Sequence, residues 1–286
     1  MSFGSVFDKI NHEYYQLTAS EKKIADYVTA HRRESQFMSI SELAQAAEVA
    51  EATVSRFCRR LGYKSYNAFK LAVANSTAAI QAGSANPLSG EVLPEDSVED
   101  MCRKICAADV EAVNQTLGLI RPENIVKAAD LLLSARRVLC MGQGGSMLLA
   151  QEAAHLFATA MPNFYAVADS HTQAIRTALL TQEDLIFYFS YSGATRDLLE
   201  ILKIARQRGV KCILVTRYPK SPGAELADVV LECGSNEGPL QLGSVAARMA
   251  QLYLVDVLFS EVSRRDMETI RARRKQVAEA LGEKHL

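Results

Sequence analysis

The sequence predicts an α/β protein in two parts. An all-α helix-turn-helix domain comes first, followed by a parallel sheet wrapped by helices in a flavodoxin-like, doubly wound arrangement. Three observations carry this. The N-terminal stretch shows helical periodicity and capping signals with no strand pattern. A cluster of turn formers (Gly83, Ser84, Asn86, Pro87, Ser89, Gly90 and Pro94) then interrupts the chain. From Val138 onward, short apolar runs alternate with amphipathic helical segments. The expected organisation is a helical domain over residues 1–80, a linker over 81–97 and an α/β domain over 98–286.

In the first part, Thr18-Ala19-Ser20-Glu21 and Ser39-Ile40-Ser41-Glu42 each fit a capping box. In that motif a hydroxyl and the glutamate three residues on satisfy each other's backbone donors. After the first box, Ile24, Tyr27, Val28 and His31 fall on one helix face. After the second, Ile40, Leu43, Ala44 and Ala47 mark a short helix. A further helix carries Val54, Phe57, Cys58 and Leu61 inward until Gly62 stops it. Two short helices joined by a tight turn make a helix-turn-helix, with Ala44 and Ala47 allowing close approach and Val49 and Val54 filling the angle. Glu51, Ala52, Thr53, Ser55, Arg56 and Arg59 are left to face a partner. Short polar residues at a helix start with arginines further along suit a DNA major groove. Lys64, Ser65, Tyr66 and Lys70 follow in position for phosphate contact. The same spacing also fits a three-helix bundle with a solvated basic face that contacts protein.

In the second part, strands are expected over Val138–Met141, Asn163–Val167, Leu185–Phe189, Lys211–Thr216 and Asp228–Glu232. Helices are expected over Met147–Ala160, His171–Leu180, Arg196–Arg208 and Ser244–Val262, and one or two more over Glu261–Gly282. Ligands of such sheets bind at the carboxyl ends of the strands, where strand order reverses. Two loops matter there: Met141-Gly142-Gln143-Gly144-Gly145-Ser146, and Ser190-Tyr191-Ser192-Gly193-Ala194-Thr195. Each runs from a buried strand into a helix start, whose unpaired N–H groups and dipole favour an anion. The hydroxyls of Ser146, Ser190, Ser192 and Thr195 suit a phosphate with polar neighbours, as in a sugar phosphate. The plainer alternative is a Ser/Gly turn with Ser192 or Thr195 as a helix cap. Met147 stands where a dinucleotide fingerprint needs its third glycine, and no Gly-Lys-Ser/Thr occurs. Both observations argue against nicotinamide and nucleotide triphosphate ligands.

Composition narrows the classes. The chain has 286 residues, 49% hydrophobic and 23% charged, with a net charge of −1. That balance excludes a uniformly basic nucleic-acid coat, yet Arg56, Arg59, Arg60, Lys64 and Lys70 cluster with no acid among them. No apolar run approaches bilayer length and the N-terminus lacks a signal-peptide pattern, so a cytoplasmic protein with no membrane partner is expected. The six cysteines show no Cys-x-x-Cys spacing and the five histidines are scattered. No metal site and no cofactor is expected, and most cysteines read as core residues.

These motifs resemble the RpiR/MurR-type bacterial transcriptional regulators, in which an N-terminal helix-turn-helix precedes a sugar isomerase (SIS) domain. The first match runs from Leu17 to Val73 through Ser-Ile-Ser-Glu-Leu-Ala and Ala-Thr-Val-Ser-Arg-Phe-Cys-Arg-Arg-Leu-Gly-Tyr. The second runs from Val126 to Phe259 and takes in both loops and Ala246-Ala247-Arg248-Met249-Ala250-Gln251-Leu252. The resemblance implies a regulator of carbohydrate or amino-sugar metabolism whose DNA affinity responds to a phosphosugar. It places the effector against Gly144, Gly145, Ser146, Ser190, Ser192, Gly193, Thr195 and Glu237. It places DNA against Ser41, Glu51, Ala52, Thr53, Ser55, Arg56, Arg59, Arg60, Lys64 and Tyr66. It further implies a homodimer or homotetramer on a palindromic double-stranded operator. Two departures stand out: Ala50 where the recognition helix often has a serine cap, and Gln241 where an arginine is often found. The alternative function is a sugar-phosphate isomerase with a helical appendage, which needs a base such as Glu237 and a second group, His155 or His171. His155 reads as a core or interface residue and His171 as a helix cap, so no enzymatic activity is expected.

Overall fold

The computed structural model describes residues 5–81, 92, 96–234 and 245–282, apart from the side chains of 33 and 78–81. Most of the expected linker, together with Glu237 and Gln241, lies outside the described residues. The chain divides into two compact units, with the boundary between Glu111 and Ala112.

The first unit is helical: α1 (Val6–Glu13), α2 (Ala19–Ala30), α3 (Arg32–Ser35), α4 (Ile40–Ala46), α5 (Glu51–Arg60) and α6 (Tyr66–Gln81). Both capping boxes form, Thr18 with Glu21 on α2 and Ser39 with Glu42 on α4. Ile24, Ala25, Val28, Leu43, Val54, Phe57, Cys58, Phe69 and Val73 make the core. His31 departs from the expected face. It is exposed at the C-terminus of α2 and stacks on Tyr27 at 4.3 Å between ring centroids.

The turn between α4 and α5 holds a feature that local patterning hides. Val49 N–H donates to Ala44 O at 2.9 Å and Glu48 N–H to Gln45 O at 3.1 Å, the double bond of a Schellman cap. The residue such a cap holds left-handed is Glu48, with φ of 51°. The same cap ends α5, but there Gly62 takes the left-handed place at φ of 83°. Glu48→Gly is therefore expected to raise stability by about 0.5–1 kcal/mol in urea unfolding. The exposed Lys23–Glu48 pair that it removes, 3.0 Å long, offsets only a few tenths of that gain. Unchanged or lower stability overturns the strain argument.

Helix α7 (Val98–Leu119) spans the unit boundary, and α8 (Pro122–Ser134) leads into the sheet. The remaining elements are β1 (Val138–Gly142), α9 (Gly145–Ala158), β2 (Phe164–Ala166), α10 (Ser170–Ala178), β3 (Leu185–Phe189), α11 (Arg196–Arg208), β4 (Lys211–Thr216), β5 (Val229–Glu232), α12 (Val245–Arg265) and α13 (Met267–Gly282). All strand pairs are parallel, in the order β2-β1-β3-β4-β5. Alternate strand residues feed two cores. Val138, Cys140, Leu185, Phe187, Phe189, Ile213 and Val215 pack with α8, α9 and α12. Leu139, Met141, Ile186, Tyr188, Cys212 and Leu214 pack with α11 on the other face. Four of the six cysteines are buried, while Cys102 and Cys106 are exposed on α7.

The starts of β1 and β3 are tied by Asp184, whose side chain is fully buried. It accepts from Arg137 at 3.0 and 3.1 Å, Arg136 at 3.0 Å and Thr181 N–H at 2.9 Å. Burial alone raises its pKa, but these donors outweigh burial and hold the carboxyl well below the usual range. A depressed carboxylate stabilises above its unfolded pKa, near pH 4, and that stability is lost as the pH falls further. Asp184→Ala is expected to cost about 2 kcal/mol near neutrality, with the difference from wild type shrinking in acid. A cost independent of pH below 4 overturns the assignment to charge.

Candidate anion site and nucleic-acid interface

The strand order reverses between β1 and β3, and Gly142 pairs with Phe189 at their carboxyl ends. The two loops singled out in the sequence thus leave the sheet side by side. Gly142 is required by close approach, because a Cβ there would lie 2.6 Å from Ser146 O. Gln173 on α10, fully buried, pins the loop from behind. It donates to Gly142 O at 3.1 Å and Val167 O at 2.7 Å and accepts from Gln143 at 3.1 Å. Helix α9 begins at Gly145 with Gly144 as an N-cap that supplies no side chain, and its Ser146 and Met147 N–H groups donate to Gln143 O at 3.1 Å and Gly144 O at 3.0 Å.

The second loop is braced differently. Gly193 sits left-handed at φ of 60°, and a Cβ on it would lie 2.0 Å from Ser221 Oγ. Its carbonyl accepts from Gly223 N–H at 2.8 Å, and Thr216 Oγ1 donates to Tyr191 O at 3.0 Å. Ser190 Oγ accepts from Gly193 N–H at 3.2 Å and Ser192 Oγ from Ala194 N–H at 3.3 Å. Each hydroxyl keeps a proton to donate. The Gly193 N–H, expected to face a ligand, is spent on this internal bond, so the role of Gly193 is to shape the loop.

Thr195 is the N-cap of α11 by backbone conformation, but its side chain makes no capping bond. Its Oγ1 is buried with no hydrogen-bond partner. Buried hydroxyls are nearly always paired, and leaving one unpaired costs about 1–3 kcal/mol. The turn-and-cap reading offers no reason to keep such a group. Asp169, not His171, caps α10, by accepting from Thr172 N–H at 2.7 Å. His155 and His171 are both exposed, which corrects the core and cap roles expected of them.

In the helical unit, Glu51, Ala52, Arg56 and Arg59 are exposed on α5, with Thr53 and Ser55 half-buried. Ser41 near the start of α4 and Lys64 after α5 are also exposed. Ala50 leaves α5 without a side-chain cap, as its identity implied. Arg60, also exposed, and Tyr66, half-buried, make contacts within the unit. Arg60 reaches across to α2, donating to Glu21 at 3.1 Å and also to the Gln16 carbonyl. Tyr66 OH donates to Met38 O at 2.9 Å beside the start of α4, and burial pushes its phenol up to about 12. Lys70 donates to Phe37 O at 3.4 Å.

Comparison with known proteins gives both units a family. The model of the helix-turn-helix domain of the rpiR family matches residues 4–80, and that of the SIS domain matches 131–261. The chain belongs to the rpiR family. It is a transcriptional regulator with an N-terminal helix-turn-helix and a SIS domain. A helix-turn-helix transcriptional regulator of Haemophilus influenzae is 32% identical over 273 residues, covering 96% of this chain and 94% of that one. The regulator HexR of Pseudomonas aeruginosa is 29% identical over 277 residues, covering 97% and 95%. Among solved structures, Vibrio vulnificus NanR, complexed with ManNAc-6P, matches 99% of this chain and all of its own, with a TM-score of 0.63 and 24% identity. The sugar isomerase domain of a Sphaerobacter thermophilus RpiR transcription factor matches 62% of this chain, at 26% identity and a TM-score of 0.55.

Proposed function

We propose that this rpiR-family regulator binds a DNA operator through α4 and α5 and that a phosphosugar held between the starts of α9 and α11 sets its operator affinity. Residues 1–80 form the DNA-binding domain, 81–97 the linker and 98–286 the effector domain. The observation that carries the effector half is the unpartnered buried hydroxyl of Thr195, at an uncapped helix start beside the loop after β1. Ser146, Ser190 and Ser192 add hydroxyl donors and the α9 and α11 N-termini add N–H groups. Glu237 is the proposed acidic neighbour of the sugar. The DNA half rests on Arg56 and Arg59 exposed along α5, with Ser41, Glu51, Ala52, Thr53, Ser55 and Lys64 as further contacts. Arg60 and Tyr66 position these helices.

The working unit is a homodimer or homotetramer on a palindromic operator, in the cytoplasm, acting as a regulator and not as an isomerase. No described helix is long and apolar enough to cross a membrane.

A thermal-shift screen against phosphosugars tests the effector reading, because a ligand that binds only the native state raises its stability with occupancy. ManNAc-6P, the ligand seen with NanR, heads the panel. The effector is expected to raise the midpoint of the wild type, and Ser190→Ala with Ser192→Ala to abolish the shift with the fold intact. A double variant that still responds fully overturns the site. Turnover of a phosphosugar that disappears in Glu237→Ala restores the isomerase.

A further inference from the structure

We propose that a second ligand site lies between β1, the edge strand β2 and the end of α10, and that it takes an organic acid with a hydrocarbon body. The inference is independent of the effector reading above. A cavity of about 320 Å³ opens there, lined by Arg137, Leu139, Tyr165, Arg176, Leu179 and Leu180. That volume is at the small end of the range for ligand pockets, about 300–1,000 Å³. Leu139 and Tyr165 are partners in the register of β1 and β2, so their side chains share one face of the sheet. The cavity faces the first half of β1, whereas the two loops leave the carboxyl ends of β1 and β3, so the two sites are separate.

The lining divides by chemistry. Leu139 and Leu180 are buried and form the floor, while Leu179, 71% exposed, and Tyr165, 44% exposed, stand at the rim. Arg176 makes no side-chain hydrogen bond or ion pair among the described residues. Arg137 spends Nε and Nη2 on Asp184, at 3.1 and 3.0 Å, which leaves the N–H groups of Nη1 for a ligand. Asp184 is shared with Arg136, which also pairs with Glu183, so three arginines face two acids and the cluster stays positive. A second copy of this chain seated through the same face would set these arginines against their own counterparts, so the acid must come from elsewhere. A sugar phosphate suits the cavity poorly, because buried leucines leave sugar hydroxyls without partners. A carboxylate in the arginine forks, with a hydrocarbon body on Leu139 and Leu180, satisfies both halves of the lining.

The test is calorimetric titration of the full chain at constant ionic strength with octanoate as the probe, beside 1-octanol and gluconate. Octanol keeps the hydrocarbon body without the charge, and gluconate keeps the charge on a hydroxylated body. Octanoate is expected to bind at least about 10-fold more tightly than either. Arg176→Met, which retains an apolar stem, is expected to weaken octanoate about 10- to 100-fold, the range for a hydrogen bond to a charged group, and to leave octanol unchanged. Arg176 also complements the dipole at the end of α10, so Leu179→Glu serves as a second variant that retains it. Its carboxylate at the rim should abolish octanoate binding, while its exposed position keeps the thermal midpoint near that of the wild type. No octanoate binding by the wild type, or octanol or gluconate binding as tightly, overturns the proposal. So does octanoate binding at wild-type strength in Arg176→Met or Leu179→Glu. Loss of octanoate binding in Ser190→Ala with Ser192→Ala moves the acid to the two loops and overturns it as well.

Discussion

Replacing Arg56 and Arg59 together with alanine is expected to lower operator affinity by about 30- to 1000-fold, from about 1–2 kcal/mol for each arginine. Both side chains lie exposed along α5. Arg56 reaches back only to Ala52 O at 3.3 Å and Thr53 Oγ1 at 3.4 Å, weak bonds that a phosphate or a guanine edge would replace. Salt dependence separates the two roles. Removing an arginine from a phosphate reduces the slope of log affinity against log salt by about one, whereas removing it from a base relaxes preference at one operator position. Arg60→Ala is the internal control. It strips Glu21, nearly buried, of its ion pair and loosens α5 from α2, so the thermal midpoint should fall while the salt slope stays at the wild-type value. Operator titrations over a salt series decide it. A slope in Arg60→Ala as flat as that of Arg56→Ala makes Arg60 a DNA ligand after all.

The contrast between Arg56 and Arg60 shows where sequence patterning stops. Helix starts were legible because capping boxes are local, each written within four residues, and both Thr18–Glu21 and Ser39–Glu42 form. Strands were legible because five parallel strands between two helical layers must be apolar over most of their length. The places of the two loops were legible for the same reason, since each follows a buried run and opens a helix, whereas their residue types fit a Ser/Gly turn as well as an anion site. The Arg60–Glu21 pair was not, because its partners lie 39 residues apart, and a basic cluster reads the same whether or not one of its members also reaches a neighbouring helix. His31 kept the helical period but fell just past the end of α2, where the period no longer sets direction. Gln173 is brought behind the loop after β1 by tertiary packing, and no local motif marks it.

Gly193 makes the same point with the larger consequence. A serine-rich loop explains its glycine as a turn former, yet the geometry demands glycine twice over. Its φ of 60° is left-handed, and its Cα lies so close to Ser221 that an added methyl would stand 2.0 Å from Oγ and 2.7 Å from Cβ. Ser221 has little room to yield, being 1% exposed with its Oγ accepting from Ala224 N–H at 3.4 Å. Gly193→Ala is therefore expected to destabilise by about 2–4 kcal/mol, about 1–2 from the left-handed backbone and the rest from overpacking. Because Ser190 Oγ is held by the Gly193 N–H, the response to effector should be lost along with the stability. Ser221→Gly separates the two causes. Combined with Gly193→Ala it removes the two closest clashing atoms and leaves Thr216 Oγ1 at 2.9 Å and the backbone strain, so the pair should recover most of the overpacking share and no more. Urea unfolding of the four members of that cycle measures the coupling. Additive costs mean that Ser221 is not what makes Gly193 necessary, and full recovery means that the left-handed backbone costs nothing there.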